Sequence, residues 1–594
     1  MNQFLLNIKP LGADVPFPCY YVSSTAPINI EGDLPKPTDK PTGEPTDPNR
    51  YIQEISQFLQ QNADQAEVLV LIHGYNNGSS FVEWTYREAC KLIAQQHKDI
   101  PKGLVILGYR WPSEEIAGPD SKDLKANLGI AWKALPKVVK GTAQLAIGLL
   151  LTSFVGGALS GAFVLWQSGW WLGASAFFSA LAVLAMVIAT PILTLVALRV
   201  SVYFRDSFRA NAYGVADLVE LIRQLDNAMV RSTPGQTLTE QTTHLKQNRI
   251  RLSFMGHSMG SFVVTNAVRI LSDVFDTRSI GDLNLHSCKA QPSSAIGNAF
   301  CLGRLVLVAP DIPAETLISG RGNVLRTSLR RFEEAYLFSN EGDMALQLAS
   351  TTANYFSFPA RTRDAGYRLG TVTVRRRAFA EDEWEQLMPR EQYGMVNLRP
   401  DGSLITEQPF LSYLFGSGKK SLQERQTEVG LMGQQQSIAE LFTYFDCTNY
   451  RETITDPQTG KPVSKGIVSL ATGKASLSFW DFCALIWSFA RGKLDPHGGY
   501  IFTQEAKLSK YLIYGLSTMG LKGLINQEKQ QPKFAAILQQ MAETHGHLSQ
   551  TQQEHLALNL LFSQRCQDQG IQILLAPERY QADILGEDCD RRNY

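Results

Sequence analysis

The feature that most constrains the fold is a serine between two glycines at the end of a short apolar run. Residues 250–255 have the length and composition of a buried strand, and the motif G-H-S-M-G follows directly at residues 256–260. Apolar residues with helical spacing continue from Phe262 to Leu271. A strand, G-x-S-x-G and a helix in this order predict a nucleophile elbow, in which the glycines let neighbouring backbone pass close to a tight turn. The first amides of the helix then favour negative charge near Ser258.

Apolar runs of strand length recur before and after this motif and alternate with helical segments. The predicted strands are 67–72, 103–109, 304–309, 334–338 and 441–445, and the predicted helices include 79–96 and 212–225. Strands that are apolar along their whole length are typical of parallel sheets covered by helices. We therefore expect an α/β fold with a mostly parallel sheet and helices on both faces.

Short motifs at the ends of these strands resemble those of α/β-hydrolase fold serine hydrolases. The segments I-H-G-Y-N at 72–76, Y-R-W-P-S at 109–113, G-H-S-M-G at 256–260 and S-N-E-G-D-M-A-L at 339–346 are similar to a largely uncharacterised bacterial group of such hydrolases. The similarity covers roughly residues 65–115 and 200–350, with a looser match around His497. The resemblance implies the α/β-hydrolase fold and its catalytic roles, and it does not name a substrate.

A catalytic serine needs a base within hydrogen-bond reach and a carboxylate that orients the base. In this fold the order along the chain is serine, acid, histidine. Ser258 is the predicted nucleophile, and Asp343, in a glycine-containing loop after a predicted strand, is the preferred acid. Asp311, one strand earlier, is the alternative acid, and Asp446 ranks below it. Each of these aspartates could instead cap a helix or stabilise a turn.

The position of the base follows from the nine histidines of the chain. His73 and His257 belong to the turn and the elbow, His97, His244 and His286 precede the acid, and His545, His547 and His555 lie in a glutamine-rich stretch that predicts a solvated helix surface. His497 lies in the turn L-D-P-H-G-G-Y at 494–500, before a helix predicted to begin near Thr503. His497 is therefore the preferred base, and a structural turn histidine is the alternative.

The oxyanion hole is expected to use two backbone N–H groups, those of Met259 and of Tyr75 in the loop at 73–76. The predicted chemistry is acyl transfer. Ser258 attacks an ester or thioester carbonyl, His497 accepts the serine proton, Asp343 stabilises the imidazolium, and water then releases the acyl group. A simple turn between strand and helix is the alternative interpretation of Gly74 and Tyr75.

One long stretch of the chain carries no charge. Residues 141–198 contain no Asp, Glu, Lys, Arg or His, and a bilayer core needs about 20 apolar residues per helix. We expect a transmembrane hairpin with spans at 142–166 and 172–198, and with tryptophans near the turn at 167–171 where an interfacial aromatic belt is expected. A buried hairpin or a hydrophobic lid is the alternative, although soluble helices normally keep a polar stripe.

Basic residues flank both ends of this stretch. They are Lys133, Lys137 and Lys140 on one side and Arg199, Arg205 and Arg209 on the other. Because the turn is uncharged, the positive-inside rule places both flanks in the cytoplasm, with the catalytic domain and both termini. The N-terminus lacks the pattern of a signal peptide, and the eight cysteines lack C-x-x-C spacing, which predicts reduced thiols. The expected protein is membrane-anchored with two spans.

Composition shifts and motif positions divide the 594 residues into segments. These are an N-terminal segment with a proline-rich linker (1–50), a first part of the hydrolase core (51–140), the transmembrane hairpin (141–200), a second part of the core with the elbow (201–370), an insertion (371–439), the last core strand with the histidine loop (440–525) and a C-terminal helical region (526–594). The role of the C-terminal region, in packing or in oligomerisation, is left open.

The 56 basic and 56 acidic residues give no support for a nucleic-acid partner, and no sequence motif suggests a metal or another cofactor. A site held near a bilayer favours membrane lipids as partners and a lipid, acyl-ester or acyl-thioester substrate. Hydrolysis of small soluble esters is an alternative. A different class is a membrane-tethered interaction or assembly protein that uses a hydrolase-fold domain as a scaffold. An oligomer is possible.

Overall fold

The computed structural model describes residues 4–26, 47–113, 203–272, 293–314, 326–350, 368–375, 393–399, 409–416, 420–428, 438–455, 460–474 and 476–577. The chain divides into two units, residues 1–113 with 207–594 and residues 114–206, and the fold below is that of the first unit. The predicted membrane hairpin at 141–200 lies outside the described residues. Within the described ranges, no helix is both long enough and apolar enough to cross a bilayer.

The core of the fold is one large, mostly parallel sheet. Its strands are β1 (Leu6–Pro10), β2 (Cys19–Ser24), β3 (Ala66–Ile72), β4 (Gly103–Arg110), β5 (Ile250–His257), β6 (Ala295–Ile296), β7 (Phe300–Val308), β8 (Glu334–Ser339), β10 (Gly394–Met395), β12 (Thr443–Asp446) and β15 (Gln572–Leu574). Outside this sheet, β9 (Thr373–Val374) pairs with β11 (Leu414–Phe415), and β13 (Arg451–Thr455) pairs with β14 (Pro462–Gly466).

The strand order is β1-β2-β4-β3-β5-β7-β8-β12-β15-β10, with β6 attached to β7. All neighbours from β2 to β12 in this order are parallel. The antiparallel pairs of the sheet are β1 with β2, β6 with β7, and β15 with β12. The sheet confirms the predicted α/β class and is of the α/β-hydrolase type.

Helices cover both faces of this sheet, as the fully apolar strands predict. They are α1 (Pro48–Gln61), α2 (Ser79–Gln96), α3 (Val215–Ser232), α4 (Leu238–Gln247), α5 (Met259–Ile270), α6 (Arg326–Leu329), α7 (Leu422–Glu428), α8 (Phe479–Ala490), α9 (Gly499–Phe502), α10 (Lys507–Asn526), α11 (Phe534–Thr544) and α12 (Gln550–Asp568). Helices α2, α10 and α12 share a buried core with side chains such as Leu69 and Leu71. Helices α1 and α5 contact α3 and cover the other face.

The strand order creates a crevice at the centre of the sheet. After β3 the chain runs to β4 on one side, and it later returns to β5 on the other side of β3. Ligands bind to open parallel sheets at such a reversal, outside the carboxyl ends of the strands. The loop at 73–76 and Ser258 both lie at this edge, because they follow β3 and β5 directly.

The sheet extends further than the sequence predicts. Residues 441–445 are predicted as the last core strand, yet the sheet continues with β15 from the C-terminal region and with β10 from the predicted insertion. Strand β15 has three residues, which is too few for a recognisable apolar pattern. Strands β1 and β2 likewise lie within the N-terminal segment 1–50 and form the other edge of the sheet.

A buried ion-pair cluster lies toward the amino ends of the central strands, whereas Ser258 follows the carboxyl end of β5. The Glu67 carboxylate accepts hydrogen bonds from Arg304 Nη1 at 2.6 Å and from Ser253 Oγ at 2.8 Å. Arg304 Nη1 also donates to the Thr518 carbonyl of α10 at 2.9 Å. Burial alone lowers the pKa of the Arg304 guanidinium, but the charges of Glu67 and Glu334 raise it overall. The cluster joins three strands to one helix.

Arg304→Met should therefore destabilise the fold, because it leaves the buried Glu67 carboxylate without its main cation. We expect the free energy of unfolding to fall by about 3 kcal/mol, measured as the midpoint and slope of denaturant unfolding. Arg223→Met is the matched control, since it removes an exposed pair with Glu220 at 2.7 Å on α3 and should leave the transition in place. Equal midpoints for the two variants would contradict a structural role for the cluster.

Candidate active site

Ser258 lies in a strained turn between β5 and α5. Its backbone has φ 55° and ψ −124°, a region that residues with a side chain rarely adopt. The flanking glycines are required because neighbouring backbone lies in contact with them. A Cβ on Gly256 would lie 2.8 Å from Ser261 Cα, and one on Gly260 would lie 2.5 Å from the carbonyl oxygens of Ile72 and His73. The turn therefore has the geometry of a nucleophile elbow.

The structure brings Ser258, His497 and Asp343 together in one hydrogen-bonded chain. His497 Nε2 lies 2.7 Å from Ser258 Oγ, and His497 Nδ1 lies 2.7 Å from Asp343 Oδ2. Because a carboxylate only accepts, Nδ1 carries the proton and Nε2 is the acceptor for the serine hydroxyl. The three residues are the preferred acid, base and nucleophile of the sequence analysis, and their side chains have the spacing that proton transfer requires.

The Asp343 side chain is held by its own loop. Asp343 is fully buried, its Oδ1 accepts the Leu346 amide at 3.1 Å, and its backbone N–H donates to the Asn340 carbonyl at 3.1 Å. Burial raises the pKa of the Asp343 carboxyl, and the charge of and hydrogen bond from His497 oppose this rise. Burial lowers the pKa of the His497 imidazole, but the charge of Asp343 and its hydrogen bond raise it. Asp495 and Asp311 contribute smaller increases, and the pKa of His497 is raised overall.

The histidine loop has three separate anchors. Asp495 Oδ1 accepts the backbone amides of His497 at 3.1 Å and Gly498 at 2.9 Å. Asn340 Nδ2 donates to the Pro496 carbonyl at 3.0 Å, which ties the histidine loop to the acid loop. His257 Nε2 lies 3.3 Å from the His497 carbonyl. His497 is therefore positioned by residues on three different segments.

Sequence reasoning missed these anchoring roles. The Asp-Pro pair at 495–496 is a turn signal in which the aspartate side chain accepts hydrogen bonds from backbone amides. This pair could have predicted the role of Asp495. Asn340 follows β8 directly, but its partner Pro496 lies 156 positions away along the chain. No local pattern predicts that contact.

Two buried histidines beside the site are neutral. Burial lowers the pKa of His257 to about 3, and burial also lowers that of His73 to about 3. His73 Nδ1 donates to the Gly74 carbonyl at 2.7 Å, and its ring stacks on Trp111 with centroids 5.2 Å apart. Trp111 Nε1 donates to the His73 carbonyl at 2.9 Å. The segments at 72–76 and 109–113 therefore contact each other and support the loop after β3.

The alternative acids make other contacts. Asp311 is buried, its Oδ1 lies 3.1 Å from Arg368 Nε, and its backbone N–H donates to the Ser258 carbonyl at 3.2 Å. Asp446 accepts the amides of Val374 at 2.8 Å and Thr448 at 2.9 Å, and burial raises its pKa to about 6. His497 Nδ1 donates its hydrogen bond to Asp343 and to neither of these aspartates.

The predicted oxyanion donors border the serine. Met259 is the first residue of α5, where a backbone N–H has no acceptor within the helix. The loop after β3 approaches so closely that a Cβ on Gly74 would lie 2.9 Å from Ser258 Cβ. Tyr75 follows in this loop, and its ring lies 6.4 Å from the His497 ring. In the described part of the chain, no group of three or more His, Cys, Asp or Glu residues could hold a metal ion.

Comparison with known proteins agrees with the α/β-hydrolase type of the sheet. Residues 232–383 match the model of a family described as an alpha/beta hydrolase of unknown function. No curated protein and no solved structure matches the chain. The matched segment contains Ser258 and Asp343, whereas His497 lies beyond it. The family match and the sheet together support an α/β hydrolase.

Gly260→Ala tests the close approach at the elbow. The new Cβ would lie 2.5 Å from two carbonyl oxygens at the end of β3, so α5 and β3 must move apart, and the stability should fall by about 1–3 kcal/mol. Thermal unfolding measures this change. Gly546→Ala is the control, because its nearest neighbour would lie at an ordinary 3.5 Å. A Gly260→Ala protein as stable as the control would rule out the tight turn.

Proposed function

We propose that this chain is a membrane-anchored serine hydrolase that cleaves ester or thioester bonds, with a lipid or acylated molecule as substrate. The observation that carries the proposal is the position of His497, whose two ring nitrogens lie 2.7 Å from Ser258 Oγ and 2.7 Å from Asp343 Oδ2. A histidine between a strained serine and a buried carboxylate is the arrangement that activates a hydroxyl nucleophile.

The proposed reaction follows from this arrangement. His497 Nε2 takes the proton of Ser258 as Oγ attacks the carbonyl carbon, and the imidazolium then protonates the leaving alkoxide or thiolate. A second cycle, with water in place of the serine, releases the acid and restores Ser258. Asp343 accepts the Nδ1 hydrogen bond throughout, which keeps the imidazole in the tautomer that can accept the serine proton.

The oxyanion of each tetrahedral intermediate is assigned to the backbone N–H groups of Met259 and Tyr75. The start of α5 next to Ser258 supports the first assignment, because the helix dipole adds to the hydrogen bond. The contact between Gly74 and Ser258 supports the second, since it places the loop after β3 against the nucleophile. Loss of one such donor typically lowers kcat by about 10²–10³.

The substrate class rests on the predicted hairpin at 141–200. An uncharged stretch of this length would hold the catalytic domain at a bilayer, where lipid esters and acylated proteins are concentrated. Both termini are then cytoplasmic by the positive-inside rule. A hydrolase of small soluble esters and a membrane-tethered scaffold are the competing functions, and the experiments below separate them from the proposal.

Labelling with a fluorophosphonate probe tests the nucleophile. The detergent-solubilised wild type should be labelled at Ser258, and Ser258→Ala should abolish the label. His497→Ala and Asp343→Asn should lower the labelling rate strongly, in the latter case by up to about 10⁴, because the imidazole loses the partner that fixes its tautomer. The rate is followed by in-gel fluorescence over time, and unfolding midpoints show that each variant is folded.

Asp311→Asn is the comparison for the acid. It alters a buried carboxylate one strand away that makes an ion pair with Arg368, so it should lower the labelling rate far less than Asp343→Asn. A larger loss in Asp311→Asn would transfer the acid role to Asp311. A folded wild type that does not react would favour the scaffold. Turnover of short soluble esters alone would favour the soluble-ester hydrolase.

The pH dependence of labelling tests the base. His497 must be neutral to accept the serine proton, and Asp343 raises its pKa above the ordinary 6.5, so the rate should rise with pH and level off above that value. In Asp343→Asn the carboxylate that raises the His497 pKa is absent, so the residual labelling rate should reach its plateau at lower pH. An identical pH profile for both proteins would show that the titrating group is not paired with Asp343.

A further inference from the structure

Helix α8 (Phe479–Ala490) exposes its apolar residues. Phe479 is 73% exposed, Trp480 77%, Ile486 47% and Trp487 60%. These residues and Cys483 lie on one side of the helix by their 3.6-residue spacing, and no charged residue lies among them. Soluble helices normally show the opposite pattern, with the apolar stripe turned toward the core.

The polar residues of α8 are turned toward the protein. Asp481 is buried, it forms a capping box with Ser478, and Lys474 Nζ binds its carboxylate at 2.9 Å. Asp481 is the only acidic residue in α8, and it is paired with a cation. The outward face of the helix is therefore both apolar and free of negative charge.

Helix α8 sits on the loop that carries the proposed catalytic acid. A Cβ on Gly342 would lie 2.9 Å from the buried Leu485 side chain of α8, and Gly342 directly precedes Asp343. The Leu477 amide, just before the helix, donates to Glu341 Oε2 at 3.2 Å. The chain that leaves α8 runs directly into the loop of His497. Helix α8 consequently lies beside the loops of Asp343 and His497.

Two cations follow the apolar face. Arg491 and Lys493 are exposed, and the Arg491 guanidinium lies over the Trp487 ring at 4.3 Å from its centroid. Tryptophan and phenylalanine beside basic residues are typical of segments that lie in the headgroup region of a bilayer. Each basic residue near an anionic surface strengthens membrane binding.

We infer that the face formed by Phe479, Trp480, Ile486 and Trp487 docks into the surface of a bilayer that contains anionic lipids, with Arg491 and Lys493 at the headgroups. This contact is separate from the predicted hairpin at 141–200. It would bring the loops of Asp343 and His497 close to the lipid, and only this catalytic consequence rests on the proposed function. The binding itself depends only on α8 and on Arg491 and Lys493, which follow it.

The test uses the full chain with Ser258→Ala, so that turnover does not interfere. Cys483 on the outward face is labelled with an environment-sensitive fluorophore, and Cys483→Ser labelled in parallel reports any signal from other cysteines. The protein is reconstituted into phosphatidylcholine vesicles with or without phosphatidylglycerol. Docking should protect the fluorophore from iodide in the water and expose it to quenching by a nitroxide lipid labelled near the headgroup.

Variants separate the apolar and the charged contribution. Trp480→Ser with Trp487→Ser should lower the ratio of docked to undocked helix at least about tenfold, because two large apolar side chains leave the interface. Arg491→Gln with Lys493→Gln should remove the preference for phosphatidylglycerol, which should also fade at high salt. Leu238→Ser is the matched control, since Leu238 is 68% exposed on α4, and it should change neither quantity.

Two outcomes would overturn the inference. If iodide quenches the fluorophore equally in vesicles of either composition and nitroxide lipid does not, the helix is undocked. If neither quencher reaches the fluorophore, protein covers the face. Protection that depends on protein concentration would identify a second copy of the chain, and protection that does not would identify another segment of the same chain. Docking without any probe reaction of the wild type would disprove the proposed chemistry and leave the membrane contact standing.

Discussion

The close approach of β3 to the start of α5 is the contact on which the rest of the site depends. Gly260 lies against the carbonyls of Ile72 and His73, and a methyl group there would have to enter a 2.5 Å gap. The same approach puts the loop after β3 against Ser258 and leaves that serine at φ 55°. Strain of this kind persists only where the surroundings enforce it. The parallel strands β3 and β7, on the two sides of β5, hold the turn in this conformation.

Around this turn, the proposed base is positioned by contacts that come from distant parts of the chain. His497 and Ser258 are 239 positions apart, and Asn340 joins the acid loop to the histidine loop across 156 positions. Because Asp343, Asn340 and the histidine loop are mutually bonded, a change in one loop displaces the others. The neutral His257 adds a further contact to the His497 carbonyl. Burial keeps His257 and His73 uncharged, so His497 is the one of these three histidines whose pKa is raised, chiefly by Asp343.

The buried ion-pair cluster and the hydrogen-bonded chain of Ser258, His497 and Asp343 lie toward opposite ends of the strands. The Glu67–Arg304 cluster lies at the amino ends of the strands, where it joins β3, β5, β7 and α10, and the triad geometry lies at the carboxyl ends. Helix α8 adds a third element at the same end as the triad, since it packs on Gly342 and precedes the His497 loop. The proposed chemistry and the proposed membrane contact therefore involve neighbouring segments at the carboxyl ends of the strands.

Sequence by itself determined the α/β class, the positions of the central strands along the chain, and the tight turn that contains Ser258. These features are local, because burial on both faces produces a continuous apolar run and a tight turn demands glycine at fixed positions. Only the tertiary structure decided between Asp343 and Asp311 as the partner of His497, added β15, β10, β1 and β2 to the sheet, and turned the apolar side of α8 outward. Strands of two or three residues and contacts across 154 positions leave no periodic signal, since packing between distant segments, and not the pattern within any one of them, sets their positions.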